Sequence, residues 1–326
     1  MSEHSPISGK DVTNNYLISL RNDVGGGKPG TDIGDTKYID LAPDKSAYNL
    51  KNDAIHPDQW LHRLRATNEN VLVFVHGFDV DADTALERHK SIKDYLPSDV
   101  SLVSFDWPAA NSKVIPKEKY MTDRAKATQI ASPSRPRLLD ECLQLLLYHF
   151  DAKNIHLFAH SMGAYVTQAT FQAASAVRIG RVLMAAADDD QRNYLDGSQT
   201  LRNFLSKCDD LTAYWSTFDQ ALPFSAEWNT YIPLGLIGYP DADTPTKHNL
   251  QCSHYYYVYA KPDRPSDIPE SEWSHVWYIL FQPTNPPPLE NDFYIDLGEV
   301  LHRTLTEPTR ALRPTLRSIS ADTEEK

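Results

Sequence analysis

The sequence predicts an α/β protein with a mostly parallel central sheet and helices on both faces. Three observations carry that prediction. Runs such as VLVFVHGF (71–78) are apolar without alternation, as strands buried on both faces must be. Segments with helical spacing, among them TALERHKSIKDYL (84–96) and RPRLLDECLQLLLYHF (135–150), lie between such runs. The repeated order strand, helix, strand makes neighbouring strands parallel and joins them by crossovers. Ligands of such sheets sit at the carboxyl ends of the strands, so functional residues are sought just after them.

Taken in order, NYLISL (15–20) and KYIDLA (37–42) read as early strands joined by the glycine-rich connection 23–35. The strand 71–78, the helix 84–96, the strand VSLVSFDW (100–107) and the helix 135–150 follow. NIHLFAH (154–160) is strand and GAYVTQATFQAASA (163–176) is helix. RVLMAAA (181–187), NYLDGSQTLRNFLSK (193–207) and LTAYWST (211–217) read as strand, helix and strand. HYYYVYAK (254–261) is the last clear strand and IDLGEVLHRTL (295–305) the final helix. Residues 1–14 and the polar tail 314–326 read as loose ends around one domain, 15–313. Segment 220–252 is broken by prolines and glycines yet rich in apolar side chains, which predicts a packed cap near the site. Trp228, Tyr231, Leu234 and Ile237 are its expected substrate contacts.

Composition narrows the function. The chain has 326 residues, 41% of them hydrophobic, enough for a substantial core. Acidic residues exceed basic ones by 44 − 32 = 12, which works against nucleic-acid or anionic-lipid binding. No basic stripe interleaved with aromatics appears, and no apolar run reaches transmembrane length. The polar N-terminus lacks the features of a signal peptide, so cytoplasmic synthesis is expected. Cys142, Cys208 and Cys252 are odd in number and widely spaced, unlike a disulfide framework or a zinc site. DVDADTALERHK (79–90) begins like a calcium loop but lacks the sixth-position glycine and ends in Lys90. VGGGKPG has Pro29 where a phosphate loop needs Ser or Thr. No cofactor or metal is expected.

One stretch carries chemistry. In HLFAHSMGAY (156–165) Ser161 stands between a strand and a helix, with small Ala159 and Gly163 two residues to either side. That is the setting of a nucleophile elbow. The helix N-terminus behind it favours developing negative charge. An oxyanion hole needs two backbone N–H groups. Met162 supplies one, and the loop His76-Gly77-Phe78 supplies the other from Phe78, with Asp79 in reserve. Asp219, just past strand 211–217, is the expected acid, with Asp188, Asp189 and Asp190 as rivals. His275, after the last strand, is the expected base, with His254 as rival. Ser161, Asp219 and His275 then follow the Ser–Asp–His chain order of the α/β-hydrolase architecture.

On these residues the chain resembles an α/β-hydrolase, and more narrowly a bacterial family of α/β-hydrolases whose substrates are unassigned. The shared features are His76-Gly77-Phe78, Trp107-Pro108, the Ala159–Gly163 elbow, Ser216–Leu222 around the acid, and His275 followed by Asp296-Leu297. The likeness spans about residues 66–305. It departs at Ser274-His275-Val276, where the family more often shows Gly-His-Ser, and at Ala109, where it often shows Ser. The resemblance implies a cofactor-free, esterase- or lipase-like serine hydrolase acting on a small-molecule or lipid-like ester. Two alternatives stay open: an acyltransferase using the same serine, and a hydrolase fold serving only as a binding module.

Overall fold

Strands buried on both faces organise the molecule. The computed structural model describes residues 14–94, 96, 98–132, 138–172, 177–217, 219–241, 247–251 and 275. Among them, one sheet contains β1 (Asn15–Asp23), β2 (Pro29–Leu41), β3 (Ala54–Ile55), β4 (Asn70–Val75), β5 (Val100–Asp106), β6 (Ile155–His160), β7 (Ile179–Ala185), β8 (Cys208–Trp215) and β9 (Lys247–Gln251). Their spatial order is β3-β2-β1-β5-β4-β6-β7-β8-β9. The two pairs involving β2 are antiparallel and every other pair is parallel. Every residue of β4, β5 and β6 is buried, which is why these strands read as unbroken apolar runs.

The helices are α1 (Pro57–Thr67), α2 (Ala82–Lys93), α3 (Pro116–Ala131), α4 (Leu138–Leu147), α5 (Met162–Gln172), α6 (Gln199–Leu205), α7 (Leu222–Asn229) and α8 (Leu234–Ile237). Local chemistry sets several of their ends. The Asp81 carboxylate accepts from the Thr84 amide at 2.8 Å and starts α2. Ser198 does the same for α6, accepting from Leu201 at 3.0 Å. Gly197, at φ 81°, splits the predicted helix 193–207 into a short 3-10 turn at Gln191–Tyr194 and α6.

Other segments also differ from the pattern predicted above, among them β3 and α1, which had no counterpart there. The connection 23–35 is largely a hairpin. Gly25, Gly26 and Gly27 all take positive φ, and Asp23 accepts from the amides of Gly25 and Gly27 at 2.7 and 2.9 Å. The chain therefore turns back early and β2 begins at Pro29. Helix α3 has no counterpart in the reading because its inward stripe includes Asp123 and Lys126 beside Tyr120, Ala127 and Ile130. Charged residues at core-facing positions hide a helical pattern. Segment 220–252 is not one loop: it contains α7 and α8, and its end is β9, parallel to β8. The predicted strand 254–261, helix 295–305 and C-terminal tail, and Cys252 and His254, lie outside the described residues, as do residues 1–13 of the N-terminus.

Cys142 and Cys208 are buried free thiols. Among the described residues no helix is long and apolar enough to cross a membrane, and no group of three or more His, Cys, Asp or Glu side chains is placed to hold a metal ion.

Burial of histidines sets an acid response. Burial, reinforced by Lys93 and Lys90, pushes His89 down to about 3. Burial and Arg181 do the same to His156, also to about 3. Both rings stay neutral in the fold while the unfolded chain takes up protons below about pH 6.5. Each therefore costs stability as the pH falls below about 6.5. Asp123 and Asp189 act oppositely. Burial raises both to about 6, so they bind protons in the fold first and offset part of the loss between pH 6 and 4. The unfolding midpoint is expected to fall from pH 7 to pH 5, and to fall less steeply in His89→Gln. Parallel curves for the two proteins, measured by thermal denaturation, would remove His89 from this account.

Candidate active site

The site is built where β4, β6, β7 and β8 end. β6 runs into Ser161, which takes φ 55°, a left-handed backbone uncommon for any residue with a side chain. Neighbouring backbone holds it there. The Ser161 amide donates to the Ala185 carbonyl at 3.0 Å, and its carbonyl accepts from the Ala164 and Asp188 amides, each at 3.0 Å. Helix α5 starts at once with Met162, so the Met162 amide belongs to the first turn, whose N–H groups lack intrahelical acceptors. Gly163 has no alternative: a Cβ there would lie 2.2 Å from the Val75 carbonyl oxygen. Gly77 is similarly constrained, since its Cβ would meet the Ser161 Cβ at 2.7 Å. The loop after β4 and the elbow are thus pressed together.

The structure brings Ser161, His275 and Asp219 into one hydrogen-bonded line. Ser161 Oγ lies 2.8 Å from His275 Nε2, and His275 Nδ1 lies 2.7 Å from Asp219 Oδ2. A carboxylate only accepts, so Nδ1–H donates to Asp219 and Nε2 is left to accept from the serine hydroxyl. The other Asp219 oxygen accepts from the Ala221 and Leu222 amides at 2.9 and 3.0 Å. One carboxylate therefore orients the imidazole and fixes the start of α7. Beneath His275 is His160, whose Nε2–H donates to the His275 carbonyl at 2.9 Å, with the two rings 4.9 Å apart. Burial holds the His160 pKa far below the ordinary histidine value, as does His275 beside it, so His160 supports the site as a neutral ring. Sequence reasoning gave His160 no role, because nothing in a β-strand sequence shows which later loop will lie over it.

The rival carboxylates are engaged elsewhere. Asp190 caps the 3-10 turn and pairs with Arg192. Asp189 accepts from Tyr194 at 2.8 Å. Asp188 is also buried and faces Tyr120, Ser225 and Tyr231. Of the three, Asp190 alone caps the 3-10 turn, accepting from the Arg192 amide at 2.9 Å. Burial of the other two was invisible in a run of three aspartates.

The loop after β4 is anchored on two sides. Asp106, at the end of β5, is fully buried and pairs with Arg21 of β1 at 2.7 Å. Burial alone would raise this carboxyl, but the Arg21 guanidinium and the hydrogen bonds around it hold it well below the usual range. Arg21 also donates to the Val80 and Trp107 carbonyls at 2.7 and 3.2 Å, and Tyr48 and Ser19 donate to Asp106. His76 stacks on Trp107 with its Nε2 3.3 Å from Asp106, while Trp107 Nε1 donates to the His76 carbonyl at 2.8 Å. On the other side, the Asp79 amide donates to Asp123 at 3.4 Å, and the Asp79 side chain pairs with Lys119. The reserve oxyanion donor is thereby committed to α3. Phe78 stays partly exposed and packs on Tyr120.

The four expected substrate contacts separate. Leu234 is fully buried in the main core and presents no surface, which corrects its predicted role. The cause is backbone pairing: the Leu234 and Gly235 amides donate to Asp189 and Ala187, pressing α8 against the end of β7. Tyr231 is half-buried, with its hydroxyl bonded to Asp188 at 3.0 Å. Trp228 is half-buried between Tyr120 and Phe224, and Ile237 is exposed.

A family model described as an alpha/beta hydrolase of unknown function (DUF900) matches residues 54–251. The chain belongs to that family. No curated protein matches it. Among solved structures it is similar to a hormone-sensitive lipase from a metagenome library, at 12% identity and a TM-score of 0.37, covering 90% of this chain and 86% of that one. It is also similar to a hyperthermophilic esterase from the archaeon Pyrobaculum calidifontis, at 12% identity and a TM-score of 0.32, covering 74% of this chain and 78% of the other.

The Arg21–Asp106 pair yields a stability prediction. Arg21→Met removes the cation and leaves a buried carboxylate uncompensated, at an expected cost of roughly 3–5 kcal/mol. A lower midpoint in urea denaturation checks it. An unchanged midpoint would mean that the hydroxyls and His76 alone satisfy Asp106.

Proposed function

We propose that this protein is a serine hydrolase that cleaves carboxylic esters through an acyl-enzyme on Ser161. The observation that carries the proposal is the continuous line from Asp219 through His275 to Ser161 Oγ, with contacts of 2.7 and 2.8 Å, at a serine with a left-handed backbone. Strained backbone of this kind clusters at active sites. Membership in an α/β-hydrolase family supports the same reading.

In the proposed reaction His275 Nε2 takes the Ser161 hydroxyl proton as Oγ bonds to the ester carbonyl carbon. The carbonyl π pair moves onto oxygen, and the oxyanion is held by the Phe78 and Met162 amides. Collapse breaks the bond to the leaving oxygen, which receives the proton from His275 and departs as the alcohol. Water then attacks the acyl-enzyme, giving its proton to His275. The second collapse returns that proton to Ser161 Oγ and releases the carboxylic acid. Asp219 remains ionised, fixing the imidazole tautomer and stabilising the imidazolium. Helices α7 and α8 act as a cap beside the serine, with Trp228 and Ile237 as its apolar contacts and Tyr231 as a support.

Labelling with a fluorophosphonate probe and turnover of p-nitrophenyl esters test this directly. Ser161→Ala is expected to lose both while unfolding at a similar midpoint. His275→Ala is expected to lose nearly all turnover. Asp219→Asn is expected to lose up to about ten-thousand-fold in kcat, as where the wrong tautomer is favoured in serine proteases. Substantial turnover by a folded Ser161→Ala protein would defeat the mechanism.

A further inference from the structure

Four aromatic rings run in file from the elbow toward solvent. Phe78 is one residue beyond Gly77, whose backbone abuts Ser161. Its ring meets Tyr120 of α3 at 5.5 Å, Tyr120 meets Trp228 of α7 at 5.2 Å, and Trp228 meets Phe224 at 6.0 Å. Phe78 and Trp228 are partly exposed and Phe224 is 52% exposed, whereas Tyr120 is buried between them. Tyr120 is therefore the mount on which the two elements carrying the other rings meet.

What holds the mount is Asp188. Its carboxylate accepts from Tyr120 at 2.6 Å, from Tyr231 at 3.0 Å and from Ser225. Asn229 donates to the Tyr120 hydroxyl at 2.7 Å, closing the connection to α7. The Asp188 carbonyl accepts from Arg124 at 3.0 Å, and the Arg124 guanidinium lies over the Tyr165 ring, 3.4 Å from its centre. The Asp188 amide donates to the Ser161 carbonyl. A single buried residue thus ties the elbow, α3 and α7 together.

We propose that Asp188 is a specificity-positioning residue, and that the ring file it holds is the acyl subsite for esters with an extended apolar acyl group, alkyl or aryl. The proposal rests on the hydrolase reading above. The exposed parts of Phe78, Trp228 and Phe224, held in file by the buried Tyr120, offer apolar faces leading away from the loop pressed against the serine, which suits a chain several carbons long. An acetyl group would reach only Phe78. A carboxylate accepting three hydroxyl donors fixes the spacing between α3 and α7 more tightly than ring contacts alone could.

The test compares p-nitrophenyl acetate with p-nitrophenyl hexanoate in the full chain. The wild type is expected to favour hexanoate. Asp188→Asn is expected to lose about ten-fold more kcat/KM on hexanoate than on acetate, mostly through KM, as the added methylenes lose their contacts. Trp228→Ala is expected to give the same selective loss. The double variant is expected to be no more selective than Trp228→Ala alone, since both changes disable one wall. If Asp188→Asn does not fold, Ser225→Ala, which removes one donor to the carboxylate, is expected to show a smaller loss in the same direction. Equal losses on both esters in folded variants, or additive selectivity in the double variant, overturn the proposal. Fluorophosphonate labelling of the wild type keeps the two readings apart. Labelled protein with an unmoved ester ratio defeats the acyl subsite only, whereas unlabelled wild type defeats the serine chemistry and this inference with it.

Discussion

The left-handed backbone at Ser161 is the constraint around which the site is assembled. A non-glycine residue in that region costs on the order of 1–3 kcal/mol, so surrounding structure must over-determine it. Here Ala185 of β7 accepts from the Ser161 amide, and the turn after β7 returns the Asp188 amide to the Ser161 carbonyl. Gly163 brings α5 against the end of β4, and Gly77 brings the next loop against the serine itself. Each of these contacts needs a parallel neighbour at a fixed height, which the register between β4, β6 and β7 provides. The sheet sets the serine's geometry before any catalytic partner is considered.

Two buried carboxylates extend that rigidity outward by different means. Asp106 is a charge compensated by a charge: Arg21 reaches across from β1 and also holds the Val80 and Trp107 carbonyls. Such a pair fixes geometry more than it adds net stability, because desolvation consumes much of the attraction. Asp188 is satisfied mainly by hydroxyl donors, with Arg124 4.0 Å away. The first anchors the loop of the proposed oxyanion hole to the sheet. The second anchors helices that border the serine.

The sheet was legible because its central strands are buried on both faces and read as short, largely apolar runs alternating with longer helical segments. The elbow was legible because a strand, a serine between small residues and a helix coincide within ten positions. Asp219 and His275 stood out by chain order, and the distances join those same two residues to Ser161. What stayed hidden was long-range. Arg21 and Asp106 are 85 residues apart, and neither carries a local mark of pairing. Helix α3 was missed because Asp123 and Lys126 occupy its inward stripe, where they serve the loop after β4 and the β2 edge. Leu234 read as cap surface because an apolar residue in a proline-rich segment gives no sign that backbone pairing with Asp189 will bury it. Polar residues used as internal fasteners are the common cause, since hydrophobic periodicity does not register them.

Asp219, the proposed acid, also joins the site to α7. One of its oxygens faces His275, and the other holds the first amides of α7, the helix that carries Trp228 and Phe224. The first amides of that short helix therefore point at the same carboxylate that orients the imidazole. At its other end α7 is fixed through Ser225 and Asn229 to Asp188 and Tyr120. The helix is therefore suspended between the proposed catalytic acid and Asp188, whose backbone amide is bonded to the elbow. A displacement of α7 would be felt at both carboxylates, so the proposed acyl wall and the proposed triad form one mechanical unit.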